Sequence, residues 1–197
     1  ELARRAGIEV ERVASAELDR QAPGVHNGFA AEVRAGAAAA IGGDPHLIVL
    51  LEDVQDPRNL GAILRVCEAA GVGRVLIRDR GSAPISPAVV KSSAGAAEWL
   101  AVDRVPNSAA ALAGLKQAGY WVYGAVTGGV PPWEADLAGK LVLCLGGEQN
   151  GLRAHTREVC DRLLGLPMLG RLDSLNVAAA AAALLFEAVR QRRPEGA

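Results

Sequence analysis

Short apolar runs recur from residue 46 onward, each bounded by turn residues and each followed by a stretch whose apolar positions repeat with helical spacing. LIVLLEDV (47–54) predicts a buried strand, RNLGAILRVCEAAGV (58–72) a helix ending at Gly71, and RVLIRD (74–79) a second strand. Residues 86–94 and 108–118 predict helices, separated by AEWLAV (97–102). YWVYGAV (120–126) and LVLCLGG (141–147) predict further buried strands. A polar helix over 152–160, a short strand beginning near residue 161 and a closing helix to Arg192 complete the pattern. Strands that are apolar throughout, alternating with helices, imply an α/β fold: a parallel sheet with helices on both faces.

Residues 1–36 have a different texture, with charges spread through ELARRAGIEVERVASAELDRQ and a turn-rich PGVHNG before FAAEVR. This pattern predicts a short helix and two strands. It holds too little apolar surface to fold alone, so it is expected to be either the remnant of a further domain or an extension packed on the next one. Residues 37–46, rich in Ala and Gly and closed by Gly-Gly-Asp-Pro, read as a linker, and 47–197 as the main domain.

The stretch LPMLGRLDSLNVAAAAAALLF (166–186) stands apart, because a polar turn-forming segment runs directly into a helix of very small residues. Asp173 and Ser174 are good helix-cap residues, and six consecutive alanines leave little side-chain bulk to hold a backbone or ligand away.

Composition narrows the classes. Half of the 197 residues are hydrophobic but only 4% are aromatic, so the core must come from Ala, Val, Leu and Ile. With 21 basic and 22 acidic residues the net charge is -1, which argues against attachment to nucleic acid by bulk charge alone. Cys67, Cys144 and Cys160 have neither metal spacing nor disulfide pairing, and fit a reducing cytoplasm. The longest apolar run, 177–186, is too short to span a bilayer, so no membrane association is expected.

Three polar clusters follow strands: EDVQDPRNLGAILR after the first, GGEQNGLR after 141–147, and the segment that opens 166–186. Ligand sites of open parallel sheets lie at such carboxyl ends. Singly, each cluster could be only a turn, a cap or a loop. A dinucleotide fingerprint is excluded, since Gln55-Asp56-Pro57 stands where the first glycine would be, and there is no phosphate-cradling loop ending in Gly-Lys-Ser or Gly-Lys-Thr. His26, His46 and His155 have no ligand spacing, which argues against a zinc enzyme or a histidine-based hydrolase, and no metal is expected.

In order and spacing the clusters resemble the three motifs of the SpoU (TrmH-type) RNA 2'-O-ribose methyltransferases, of the SPOUT class. The resemblance rests on residues 56–62 with Arg65, on 143–151, and on 166–168 with 174–177, and it covers roughly 47–192. HNGFAAEV resembles the end of the ribosomal-protein-like RNA-binding domain found in the branch that methylates a guanosine of large-subunit ribosomal RNA. The resemblance implies a C-terminal deep trefoil knot, a homodimer and S-adenosylmethionine as cofactor, held by Thr127, Gly146, Gly147, Leu166, Met168 and Leu175. It further implies a catalytic set of Arg65, Asn59, Glu148, Ser174 and Asn176, with Asn59 a candidate to act across the dimer. Arginine resists deprotonation, so Arg65 is expected to bind phosphate and stabilise a developing alkoxide, leaving the proton to Glu148, a substrate phosphate or water. Ribosomal RNA is favoured over transfer RNA as substrate. A resistance-conferring ribosomal RNA methyltransferase and a non-catalytic RNA-binding or assembly module are the competing expectations. Ala178 departs from the family, which commonly has Ser there.

Overall fold

The computed structural model describes residues 2–22, 26, 28–31 and 44–193, and the chain divides into two units, Glu1–Gly36 and Ala37–Ala197. In the first, helices α1 (Leu2–Arg5) and α2 (Ser15–Gln21) are described. The segment between them, expected to include a strand, is irregular, and neither helix gains a strand partner among the described residues. The expected second strand and most of HNGFAAEV lie outside those residues, as do 37–43 of the expected linker.

The second unit holds strands β1 (Asp44–Glu52), β2 (Val72–Arg78), β3 (Val102–Val105), β4 (Trp121–Val130), β5 (Leu141–Gly146) and β6 (Arg162–Leu164). Its helices are α3 (Pro57–Ala69), α4 (Pro87–Ser92), α5 (Ser108–Gln117), α6 (Ala154–Val159) and α7 (Val177–Arg192). The strands form one six-stranded sheet in the order β3-β2-β1-β5-β4-β6, and every pairing is parallel. β1 starts at Asp44, so the last residues of the expected linker already belong to the sheet. AEWLAV contributes only a single 3-10 turn (Ala96–Glu98), and the edge strand β3 begins at its last residue.

Alternate residues of each central strand face opposite layers, as the pleat requires. Val49, Leu51, Val75, Ile77, Leu143 and Leu145 pack with Leu60, Ile63 and Leu64 of α3 and with Ala181, Leu184 and Leu185 of α7. Ile48, Leu50, Leu76, Val142 and Cys144 pack on the other face with Leu112 of α5 and Leu152. This double burial explains why the strands read as unbroken apolar runs. From β1 the chain moves outward through β2 to β3, then returns on the far side of β1 to build β4, β5 and β6. The reversal lies at the β1/β5 seam, where helices and loops leave a crevice beyond the strand ends.

Candidate functional site

At the carboxyl end of β1 the apolar run stops at Glu52, which is only 1% exposed and sits in register with Gly146 of β5. Glu52 accepts hydrogen bonds from the Thr156 hydroxyl at 2.8 Å and the Arg153 backbone N–H at 3.1 Å, tying β1 to the start of α6. Asp53 takes a left-handed conformation (φ 54°) that turns the chain sharply. Its carboxylate receives Arg153 Nε at 2.8 Å and Arg78 at 3.2 Å. Asp56 then caps α3 by accepting from Arg58 N at 2.7 Å, and Pro57 occupies the first helical turn, where its missing N–H costs nothing.

The loop after β5 crosses this turn closely. A Cβ on Gly147 would meet the Asp53 carbonyl, and one on Gly146 would meet the backbone of Gly151, so glycine is required at both. A second crossing brings Gly129, near the end of β4, against Gly165, just beyond β6. Between these crossings lies a cavity of about 580 Å³. Thr127, Gly146, Gly147, Leu166, Met168 and Leu175 all line it, so the six residues expected to hold a cofactor converge on one space.

Glu148, Ser174 and Asn176 line the same cavity. A second cavity of about 380 Å³, bounded by Asp53, Gln55, Asp56 and Asn59, shares Glu148, Gln149 and Asn150 with the first. A hydrogen-bonded chain runs along the seam. The Asn59 amide donates to Glu148 Oε1, and Asn176 Nδ2 donates to Asn59 Oδ1 at 3.0 Å. Asn176 Oδ1 in turn accepts from Ala178 N at 2.9 Å and so caps α7. The cap is therefore Asn176, not the earlier Asp173 or Ser174; the Ser174 hydroxyl instead donates to Asp173 at 3.0 Å.

Residues 46–186 match the SpoU rRNA Methylase family. The 23S rRNA (guanosine-2'-O-)-methyltransferase RlmB of Xylella fastidiosa is 46% identical over 205 residues, covering 98% of this chain and 82% of the relative. The chain belongs to the SpoU family. Among solved structures, the A. aeolicus TrmH/SpoU tRNA modifying enzyme superposes with a TM-score of 0.70 at 29% identity, covering 77% of each chain. The SpoU methyltransferase AviRb of Streptomyces viridochromogenes, solved with AdoMet, gives 0.69 at 29% identity over 76% of this chain and 61% of its own. The parallel sheet with flanking helices is thus the expected SPOUT-class, α/β-knot architecture.

Of the five residues expected in the SpoU catalytic set, four gather at the seam; Arg65 does not. It is exposed on α3 and lines neither cavity. Six residues beyond Asn59 it stands about 9 Å further along the helix and about 120° around it. The motif resemblance gives Glu52, Asp53, Arg153 and Thr156 no role; the available signal in the chain is the carboxylate that closes the apolar run LIVLLE. Among the described residues no group of His, Cys, Asp or Glu is placed to hold a metal ion, and no helix is long and apolar enough to cross a membrane.

Proposed function

We propose that this chain methylates the 2'-hydroxyl of a ribose in RNA with S-adenosylmethionine, and that the target is a guanosine of 23S-type ribosomal RNA. The observation that carries the reading is the pair of abutting cavities joined along Glu148-Gln149-Asn150, one mostly walled by apolar and glycine residues and the other polar. A donor and an acceptor held on either side of one seam are already aligned, and alignment alone is worth about 7 kcal/mol or more in favourable systems. The rRNA assignment is supported by the 46% identity to a ribosomal RNA enzyme across nearly the whole chain.

The residues of the first cavity fit the cofactor. Gly146 and Gly147 leave backbone groups bare for an adenosine, while Leu166, Met168 and Leu175 supply an apolar wall, in a volume of the size that ordinary cofactor sites have. The cofactor, when bound, supplies a methyl group on a sulfonium sulfur. As the ribose oxygen takes that methyl it loses a proton, and Glu148 receives it. Asn59 donates to Glu148 Oε1 and so orients the carboxylate. Ser174 lines the cavity beside Asn176 and orients the substrate.

The lining of the second cavity carries Asp56 and Glu148, with Asp53 already paired to Arg153 and Arg78, and no cation of its own, yet RNA is a polyanion. The missing positive charge comes from a second copy. Arg65 of one protomer binds the phosphate and stabilises the alkoxide at the partner's cavity, within a homodimer in the cytoplasm. Asn59 serves its own chain, because Glu148 and Asn176 of that chain hold it.

Mapping 2'-O-methylation in ribosomal and transfer RNA from cells with and without the gene, alongside calorimetric titration with S-adenosylmethionine, tests the reading. Loss of one guanosine methylation in 23S-type RNA is expected. A folded protein that binds no S-adenosylmethionine would sink it in favour of a non-catalytic module, and loss of a transfer RNA mark alone would redirect the substrate.

A further inference from the structure

At the opposite end of the sheet from the methyl-transfer seam is a third cavity, of about 270 Å³, beside the amino ends of β4, β5 and β6. Its lining includes Trp121, Tyr123, Asp136, Lys140 and Arg162. Trp121 is 57% exposed although it opens a strand whose next three residues are buried. Below it, the Tyr123 hydroxyl donates to the Asp136 carbonyl at 2.5 Å and fixes the floor. Lys140 stands 5.6 Å from the centre of the Tyr120 ring and makes no ion pair among the described residues. Among the described residues, the hydrogen bond Arg162 makes is to the Glu134 carbonyl, at 3.4 Å. The neighbouring carboxylate that could neutralise Arg162 is already committed, since Asp161 pairs with Lys116 at 2.7 Å and accepts from Val122 N. Asp136 accepts from Ala138 N at 3.0 Å, so two cations face one carboxylate already engaged in a turn.

An exposed indole flanked by two cations that no carboxylate pairs among the described residues is the combination that holds an unpaired nucleotide, with base on ring and phosphate on cation. One carboxylate is too few for a metal site. We infer that Trp121, Lys140 and Arg162 form a second RNA contact, which takes a single-stranded nucleotide of the substrate about 20 Å along β4 from Thr127. The inference rests on RNA being the substrate, and it accounts for how a chain of net charge -1 grips a polyanion: by a few placed contacts at two ends of the sheet. Because the contact reads stacking and phosphate alone, it contributes affinity and orientation, while the choice of nucleotide stays with the seam.

The test uses the full chain, a single-stranded RNA of about ten nucleotides and a 23S-type fragment, with binding read by fluorescence anisotropy at several salt concentrations. Trp121→Ala is expected to raise Kd by at least about fivefold, and Trp121→Phe to restore most of the affinity. The Lys140→Gln, Arg162→Gln double variant is expected to weaken binding about tenfold and to lower the log–log salt slope by about 1.4, for two lost contacts to a single strand. Affinity for S-adenosylmethionine and turnover at saturating RNA stay at their wild-type values. If the double variant, which changes only exposed side chains, binds both RNAs within about twofold of wild type at an unchanged salt slope, the inference is wrong even where Trp121→Ala fails to fold. A pocket that takes a protein segment gives that same result. A wild-type chain that binds RNA through these residues but transfers no methyl group overturns the methyltransferase reading and leaves this contact standing.

Discussion

Glu52 shows how much one side chain organises here. Its buried carboxylate joins the end of β1 to the start of α6 through two neutral donors, and the loop between β5 and α6 lines the larger of the two seam cavities. In Glu52→Ala the buried Thr156 hydroxyl and the Arg153 N–H both lose their acceptor, so stability is expected to fall by about 2 kcal/mol or more in urea unfolding; an unchanged midpoint would refute the assigned role. Arg65→Ala is expected to leave S-adenosylmethionine affinity intact and to slow methyl transfer by about 100-fold or more, the scale for losing a group that stabilises developing negative charge. The cysteines differ from one another. Burial pushes the Cys67 thiol well up, and Cys144, also fully buried, is raised chiefly by its hydrogen bond to Cys160. Cys160, receiving that bond and partly exposed, is lowered. Alkylation of the native protein at mildly basic pH, followed by mass spectrometry, should therefore label Cys160 first.

At the scale of elements, α7 is a capped helix and a wall of the site together. Asn176 supplies the cap acceptor through one amide atom and the link to Asn59 through the other. The two roles can be separated. Asn176→Asp keeps the acceptor and loses the donor, so its thermal stability should stay near wild type while methyl transfer drops. Asn176→Ala loses both, at a stability cost of about 1 kcal/mol for the cap. Equal stability losses in the two variants would show that the link to Asn59, rather than the cap, holds the helix. Ala180 and Ala181 show what the alanine run is for: the first lines the cavity and the second is fully buried against the core, and a larger side chain would intrude on one or the other.

For the whole molecule, the buried core among the described residues lies within the second unit, from Leu47 to Ala188. A chain lacking residues 1–36 is therefore expected to melt within a few degrees of the full chain and to bind S-adenosylmethionine normally, while its affinity for ribosomal RNA falls. Mixing subunits tests the proposal that Arg65 acts at the partner's cavity. Arg65→Ala and Glu148→Ala subunits, each inactive alone, should regain part of the activity when mixed, because one mixed-dimer site keeps both native residues. No recovery, with dimers confirmed by sedimentation, would place Arg65 and Glu148 in the same protomer's site.

Sequence alone determined the layers, because a strand buried on both faces must be apolar throughout and its helices must carry one apolar stripe; LIVLLE and LVLCL leave no other fold class open. The cavity residues Gly146, Gly147, Leu166 and Met168 were legible only through the resemblance of their motifs to the SpoU family; they stand at or just beyond the carboxyl ends of β5 and β6. The tertiary structure decided what depends on chain segments far apart in sequence. The reversal at the β1/β5 seam brings Asn59 to Glu148 and Asn176, 89 and 117 residues away, and no local pattern encodes that meeting. It set the α7 cap at Asn176, whose Oδ1 accepts from Ala178 N while its Nδ2 donates to the distant Asn59. It also turned Arg65 away from its own seam, since helix geometry at that spacing sends Asn59 and Arg65 to different faces.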